Sequence, residues 1–531
     1  LLPVGVAALA AIAGGPAWAA QSRAEEQRAV ERAGDAFGLR IGGEQIGLYN
    51  ESQVRGFNLQ DAGNFRIDGL YFARSANMVD AVLGGVVTQV GVNALSSDFA
   101  APSGVVDYRL RSPFESPAVH MELARREYGT ISYNLAVAGT AADGQVAGLL
   151  GGQVSRGQSS TGLTPDYDRL GGVIEWRPRS GGRLLAFASL NLFDLDGFYG
   201  VSPTSDALPP PMVHPGRYVP RWSDHDGSDR VAGALASVFL SDTVEAAGAL
   251  VYSHLDLKAA DFTVLEIDGS GLGRARTVSN PPRDDITWSG AGRLAWRFEP
   301  GQRLYGEVRG RRTGRRFGPA VSVDLGPFDV AEGLRETGEP LLPPASRTLD
   351  LIDQTSLGIG YEVERGRWRF KAGLQTALHE RRLERPGQAA EVTRDTHALY
   401  DLSAIYGLSS RMTVFATATR GLEESGVAPA NAANASDVLP AVLANQQELG
   451  IETRLSDRLT LLTSLFTIGK PAAGFDAANA YRLVGELRHR GGELSLTGRL
   501  TDELRVVGGA AWLQARRAGP PVEAGDWSSE A

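Results

Sequence analysis

From about residue 117 onward, apolar and polar residues alternate in one stretch after another, and this alternation constrains the fold more than any other feature. In "WRFKAGLQTALH", which begins at Trp368, even-numbered positions are mostly apolar, whereas odd-numbered positions include Arg, Lys, Gln and His. Successive side chains of a β-strand point to opposite faces, so the pattern predicts strands with one apolar and one polar face. The 65 glycines among 531 residues agree, because a glycine inside a helix costs about 1 kcal/mol relative to alanine.

Tight connections and long segments alternate along the chain. The tight connections begin at Thr140, Pro178, Leu240, Glu299, Glu364, Leu408, Leu455 and Leu500. The longest segments between them are 194–229, 256–285, 314–350 and 421–445. A transmembrane β-barrel has short periplasmic turns and long outer loops, whereas a soluble barrel or propeller has no physical reason to keep one end bare. A soluble sandwich would share the alternation but not this asymmetry, so the sequence predicts an all-β transmembrane barrel.

The pattern gives about 17 strands of about 9–14 residues between Pro117 and Arg516, long enough to cross a bilayer when tilted. Bacterial single-chain barrels have an even number of strands, and the last residues, "GPPVEAGDWSSEA", do not resemble a membrane strand. We therefore expect a barrel of the 22-stranded type over residues 117–531, with about 17 strands present and a truncated C-terminus.

The N-terminal residues carry a different signal. "LLPVGVAALAAIAGGPAWAA" combines an apolar run, a Gly-Gly-Pro break and small residues, as a secretory signal sequence does. We predict a signal peptide over residues 1–19 with a clipped N-terminus; the alternative is a short buried helix. The chain has no cysteine, which excludes disulfides and thiolate metal sites, and its net charge of −9 gives no basic footprint for nucleic acid.

Residues 20–116 do not share the barrel pattern. A charged, Ala-rich lead precedes short β-type runs broken by glycine, and a unit of this size is marginal alone. Ahead of a wide barrel, we expect it to fill the lumen as a small α+β plug domain. Within "QVRGFNLQDAGNFRIDGLYF", Gly56 and Gly69 permit turns with positive φ, while Arg55 and Asp68 are charges that a polar lumen can pair. Candidate partners on the barrel are Glu448, Glu452 and Glu493.

These segments resemble the plug motifs of TonB-dependent outer-membrane receptors of the ferric-siderophore type. The resemblance is carried by "VRGF", by "RIDGLYF" and by "VGVNALSSDFAAPSGVVDYRLRSP", which stands where that family has its last plug strands. The late segment "RHRGGELSLTGRLTDELRVVGGAAWLQAR" is similar to a recurrent barrel segment, with Arg488, Gly492 and Glu493 at the matching positions. The resemblance identifies as plug-motif residues Arg55, Gly56, Phe57, Asp68 and Gly69.

The resemblance implies an active importer of a ferric siderophore or similar metal chelate, not an enzyme, in the outer membrane of a Gram-negative cell. Its partners would be a TonB-type energising complex, the chelate and outer-membrane lipid, without a cofactor or nucleic acid. Other scarce cargo (cobalamin, another metal complex or an oligosaccharide), a passive porin and a surface-binding barrel stay open. The chain departs from the family pattern because no TonB box is visible between Ala20 and Gly38, "GVNALSS" replaces Arg-Gly-Pro, and Val106-Asp107 replaces Val-Asn.

The best ligand candidates lie in the long segment "GFYGVSPTSDALPPPMVHPGRYVPRWSDHDG". Aromatic faces beside a fixed cation suit an anionic, partly apolar metal chelate. The candidates are Tyr199, Arg217, Tyr218 and Trp222. The alternatives are a self-packed Pro-rich loop and aromatics at the membrane interface. His214 and His225 share this segment, but their spacing does not predict a metal site, and no hydrolase, Walker or HExxH motif occurs.

Overall fold

The computed structural model describes residues 6–9, 29–60, 63–125, 129–158, 165–212, 218–335, 337–340, 347–426, 428, 432–434 and 437–519. In chain order the strands are β1 (Val6–Leu9), β2 (Leu39–Ile41), β3 (Glu44–Ile46), β4 (Gln53–Val54), β5 (Phe57–Asn58), β6 (Phe65–Ile67), β7 (Leu70–Tyr71), β8 (Leu83–Gln89), β9 (Val105–Leu110), β10 (Val119–Arg125), β11 (Ile131–Ala141), β12 (Val146–Arg156), β13 (Pro165–Trp176), β14 (Arg183–Asp196), β15 (Phe198–Pro203), β16 (Asp224–Phe239), β17 (Val244–Ile267), β18 (Leu272–Asn280), β19 (Arg283–Glu299), β20 (Gln302–Phe317), β21 (Val321–Asp329), β22 (Thr348–Arg365), β23 (Trp368–Glu384), β24 (Glu391–Gly407), β25 (Met412–Glu423), β26 (Val442–Ser456), β27 (Leu459–Phe475), β28 (Tyr481–Arg499) and β29 (Arg505–Ala518). Short 3₁₀ helices span Gly91–Ser96 and Pro113–Glu115, and one helical turn spans 29–32.

The wall of the molecule is a closed β-barrel. Within the described residues, 17 strands pair antiparallel, each with the next: β10 to β14, β16, β17, β19, β20 and β22 to β29. β1 pairs antiparallel with β29. The predicted all-β barrel is confirmed, and the number of wall strands agrees with the alternation in the sequence. The total of 22 and the truncated C-terminus stay predictions.

The two faces of the wall have opposite polarity, as the alternation predicts. On β23, Leu374 and Leu378 point outward and are 61% and 53% exposed, while Gln375 and His379 point inward and are buried. Leucine and isoleucine side chains on the outer faces of other wall strands are similarly exposed. An outer surface so apolar suits lipid rather than water. Near the tight turns, the Trp368 ring lies 4.5 Å from that of Tyr406, as in the aromatic girdle of a membrane barrel.

The eight tight turns join wall strands as predicted, but many strands are longer than expected. β17 runs for 24 residues and β28 for 19. Three of the long segments are also more regular than the sequence indicates. β15 pairs parallel with the end of β17, which continues into β18, and β18 pairs with β21. These strands form a small sheet beyond the barrel rim, here called the loop sheet.

The plug lies between 29 and the first wall strand, which begins at Val119. Its main sheet has the order β3-β2-β8-β9-β6-β7, with β6 and β9 parallel, and β4 and β5 form a separate hairpin. The described helical residues of the plug are one turn and two 3₁₀ helices, so the described part of the domain is mostly β. The predicted domain limits, 20–116 and 117–531, stay predictions.

On one side, the plug and the barrel share a continuous apolar core. The inner wall contributes Leu149, Val173, Leu185, Phe187, Val231 and Val251. Close approach is possible because Gly171 faces the plug: a Cβ there would lie 2.8 Å from side-chain atoms of both Val79 and Val82. Along β19 to β28, ion pairs of Arg55 and Asp98 add to apolar contacts such as that of Phe57 with Phe466. The plug is therefore held by both apolar packing and ion pairs.

Two sequence features concern membrane targeting. The predicted signal peptide over residues 1–19 lies outside the described residues apart from β1, and it stays a prediction. Among the described residues, we find no helix that is both long enough and apolar enough to span a membrane.

The alternation of tight turns and long segments predicts the sidedness of the barrel. An epitope tag inserted at Ser205, in the long segment after β15, should be reached by antibody on intact cells. A tag at Asp457, whose side chain is 93% exposed in a tight turn, should be reached only after the outer membrane is permeabilised. The reverse labelling pattern would invert the topology.

Candidate functional site at the plug–barrel interface

Two hairpins of the plug carry the predicted charges at their tips. Arg55 and Gly56 join β4 to β5 with φ of 54° and 78°, and Asp68 and Gly69 join β6 to β7 with φ of 45° and 80°. Two central residues with positive φ suit a two-residue hairpin turn, whose twist then matches that of the flanking strands. The repeated charge–glycine pair therefore gives two tight turns, each of which carries a charged side chain to the barrel wall.

Arg55 meets two carboxylates of the wall, one on β26 and one on β28. Its side chain is 0% exposed. Nη1 and Nη2 each donate to Glu448 at 2.9 Å, while Nε and Nη2 donate to Glu493 at 2.8 and 2.7 Å. Paired hydrogen bonds between a guanidinium and a carboxylate are among the strongest in proteins. Two of the predicted partners of Arg55 are thus confirmed, and Glu452 does not contact it in the described structure.

The residues around Arg55 fix its position. The Arg55 guanidinium lies 4.1 Å from the centre of the Phe466 ring, and His489 Nδ1 donates to the Arg55 carbonyl at 2.7 Å. The Phe57 ring packs 4.6 Å from the His489 ring. A Cβ on Gly56 would lie 2.7 Å from His489 Cε1. Both its positive φ and this contact therefore require glycine at position 56.

The cluster keeps Arg55 charged in spite of its burial. Burial alone would lower the pKa of Arg55, but the carboxylates of Glu448 and Glu493 hold that pKa well above its usual value. Glu493 also accepts a hydrogen bond from the Tyr49 hydroxyl. Burial and the neighbouring carboxylate of Glu493 raise the pKa of Tyr49, so its hydroxyl stays protonated and donates. The Arg55 cation therefore joins the plug to two strands of the wall, through one glutamate on each strand.

Asp68 makes the corresponding contact with another part of the wall. Its Oδ2 accepts from Arg183 Nη1 on β14 at 2.7 Å, and its Oδ1 accepts from the Leu110 N–H at 2.9 Å. Burial raises the pKa of Asp68, although Arg183 and the Leu110 N–H oppose that shift. The Gly69 N–H donates to Asp107 at 2.9 Å, so the Val-Asp pair that departs from the family pattern supports this turn.

A further set of plug–barrel contacts involves residues that no sequence pattern singles out. Asp98 accepts from Arg293 at 3.1 Å and from Arg303 at 2.7 Å. Lys371 donates to the carbonyl oxygens of Leu95, at 3.2 Å, and Ser97. Beside these contacts, a cavity of about 570 Å³ lies between the plug and strands β22 to β24. The interface is therefore not completely filled beside these contacts.

The predicted ligand residues lie in or beside the loop sheet. Tyr218 is buried, with its ring 5.2 Å from that of Tyr199, in a cluster with loop-sheet residues such as Leu265. Trp222 is half-buried, and its Nε1 donates to Thr337 at 3.3 Å. Arg217 lies outside the described residues. The burial of Tyr218 agrees with the alternative of a self-packed loop. The ligand role of the four candidates stays a prediction.

The comparisons with known proteins were made on sequence and on structure. No protein-family model matches the sequence, and no curated protein matches it. Solved structures do match. The ferric preacinetobactin receptor BauA of Acinetobacter baumannii superposes with a TM-score of 0.73 at 16% identity, covering 92% of this chain and 76% of that chain. This chain has the fold of the siderophore receptors.

Two further receptors support the same fold assignment. The closed form of the ferric-catecholate import receptor Fiu from E. coli K12 gives a TM-score of 0.72 at 13% identity, covering 92% of this chain and 77% of that chain. The ferripyoverdine receptor of the Pseudomonas aeruginosa outer membrane gives 0.67 at 16% identity, covering 87% of this chain and 65% of that one. At such identities the likeness concerns the plug-in-barrel architecture rather than individual binding residues.

Proposed function

We propose that this protein imports a ferric siderophore or similar metal chelate across the outer membrane of a Gram-negative cell. The observation that carries the proposal is a plug seated inside a barrel and joined to it by the fully buried Arg55, Glu448 and Glu493 cluster. The likeness to siderophore receptors supports the same conclusion. The protein carries out no covalent chemistry on its cargo and needs no cofactor.

In this proposal the plug is the gate. A periplasmic TonB-type energising complex pulls on the N-terminal part of the plug, although the sequence shows no TonB box. Apolar packing favours keeping one side of the plug in place. The side with the ion pairs of Asp98 and the cavity of about 570 Å³ is where a path opens most readily. Other scarce cargo would use the same route.

A passive porin is disfavoured by the packing of the lumen. A porin needs an open aqueous channel, but here Val79 and Val82 of the plug pack against the wall on one side and Arg55 is paired with it on another. The direct test is growth of an iron-starved deletion strain, complemented with this gene, on a panel of ferric hydroxamates, catecholates and carboxylates. Energy-independent uptake of every solute tested, with no preference for iron chelates, would contradict active import.

The predicted ligand group gives a finer test. If Arg217 and Trp222 contact the chelate, Arg217→Ala and Trp222→Ala should each weaken its binding by about 1–3 kcal/mol, roughly five- to a hundredfold. The measurement is binding of the chelate that supports growth, followed by tryptophan quenching, or by labelled iron for the Trp222 variant. Leu208→Ala, at an 88% exposed position in the same segment, is the matched control and should bind normally. Unchanged affinity in both variants would move the binding site elsewhere.

A further inference from the structure

Three arginines on the lumen side of the barrel lie close to Glu424 and Ser425, which follow β25. Arg311 and Arg315 lie on β20, and Arg381 lies on the inner face of β23. The side chains of Arg311 and Arg381 are only 7% and 6% exposed, and that of Arg315 is 28% exposed. Three guanidinium groups at such low exposure need anionic partners, since a buried unpaired charge is costly.

Glu424, the first residue after β25, fills the space between these arginines. Its carboxylate pairs with Arg311 and lies 3.4 Å from Arg315 Nη1. The next residue, Ser425, accepts a hydrogen bond at its carbonyl from Arg381 Nη1 at 2.9 Å. Burial alone would raise the pKa of Glu424, but the three arginines lower it to about 2. The segment is thus held against the wall by an ionised carboxylate seated in a cationic pocket.

The pocket has a spare polar group. His379 of β23 is 5% exposed, and both of its ring nitrogens are buried without a hydrogen-bond partner in the described structure. The charged groups around it are Arg311, Arg381, Glu424 and Asp395. Buried polar atoms are nearly always satisfied, so the unpartnered imidazole is a polar group that a ligand atom in this pocket would satisfy. The carboxylate of Asp350 pairs with Arg381, so Arg311 and Arg315 are the arginines that pair with Glu424.

We propose that Arg311, Arg315, Arg381 and His379 form a binding site for a carboxylate-bearing anion, and that Glu424 occupies this site as an internal stand-in. An incoming carboxylate replaces the Glu424 carboxylate on Arg311 and Arg315, and His379 supplies an additional hydrogen bond. Displacement of Glu424 also releases the Ser425 carbonyl from Arg381, so binding frees residues 424 and 425 from the wall. Guanidinium groups suit this exchange because a planar guanidinium binds a carboxylate in the same paired geometry, whether the carboxylate belongs to the protein or to a ligand.

The identity of the anion rests on the proposed import function: a ferric hydroxycarboxylate chelate is the cargo whose chemistry Glu424 imitates. The exchange itself does not depend on import. While an internal group occupies a site, only the fraction of molecules in which that group has left can bind the ligand. The apparent affinity is reduced by that fraction, and removing the internal group restores the full affinity.

The test uses the full chain in lipid vesicles and radiolabelled citrate, with and without bound Fe³⁺, in equilibrium dialysis. Glu424→Gln, which keeps the shape but removes the charge, should bind ferric citrate about tenfold more tightly than the unchanged protein. Adding Arg315→Gln to Glu424→Gln should reverse that gain, because an arginine of the site is then missing. Asp437→Asn, at an exposed acid of the same segment, is the matched control and should have no effect.

A second readout follows the segment directly. Because the chain has no cysteine, Ser425→Cys gives a single thiol for a water-soluble maleimide. Its labelling should become faster with Glu424→Gln and with ferric citrate.

Tighter binding of both citrate and ferric citrate by Glu424→Gln, without growth on any iron chelate, would support the site and refute the import function. Unchanged citrate affinity together with unchanged labelling in Glu424→Gln and Glu424→Ala would overturn the site, whatever the growth results.

Discussion

Replacing Arg55 with alanine is expected to weaken the docking of the plug by about 3–5 kcal/mol, because it leaves two buried carboxylates facing each other without a cation. Glu448 and Glu493 are 1% and 0% exposed at their side chains, so water does not replace the lost partner. The measurement is the urea concentration at which the barrel begins to conduct ions in a planar bilayer, which should fall sharply in Arg55→Ala.

The control and a compensating variant make this test specific. Arg109→Ala removes a plug arginine whose side chain is 57% exposed, and it should shift the midpoint little. Combining Arg55→Met with Glu448→Gln and Glu493→Gln removes all three charges at similar volume. This variant should recover much of the loss, since the main cost of the single change is orphaned charge. An Arg55→Ala midpoint equal to that of Arg109→Ala would show that the cluster does not hold the plug.

Removing the plug is expected to convert a closed barrel into an open pore. A chain without residues 29–116 should show single-channel conductance at least about tenfold above that of the unchanged protein, because a barrel of this width leaves an aqueous lumen when nothing fills it. Planar-bilayer recordings at one salt concentration measure both. Outer-membrane insertion should be preserved, since the wall strands pair with one another in sequence order around the barrel.

Equal conductance of the two forms would contradict the role of the plug as a gate and would favour the porin interpretation. A second chain in which only Arg55, Glu448 and Glu493 are replaced tests the same gate without a deletion. Its conductance in the absence of urea should stay low, because the apolar core around Val79 and Val82 still seats the plug.

Much of the fold could be read from local patterns. The alternation in β23 placed Leu374 and Leu378 on the outer face because strand geometry repeats every two residues, wherever the strand lies. The tight turns were also visible, since they depend on a few consecutive residues. Arg55-Gly56 and Asp68-Gly69 were recognisable as turns for the same reason: glycine permits positive φ at low cost.

The candidate sites were less accessible to this reasoning. The sequence named Glu448 and Glu493 among the possible partners of Arg55 but could not select them over Glu452, because all three satisfy the same charge rule. It gave no signal for Arg183 or Asp98, whose roles follow only from the seating of the plug. It left Tyr218 open between a ligand residue and part of a self-packed loop, and only the structure shows that packing in the loop sheet buries that ring.

Features that depend on near neighbours in the chain could be predicted: the strand faces, the tight turns, the different pattern of the N-terminal region and the charges at the two hairpin tips. The tertiary structure alone decided which distant groups meet. Arg55 and its two carboxylates are separated by 393 and 438 residues, and Arg311 lies on β20 whereas Glu424 follows β25. Such contacts depend on how the barrel curves and how its strands are staggered, and these quantities arise from all of the pairings together rather than from any one segment.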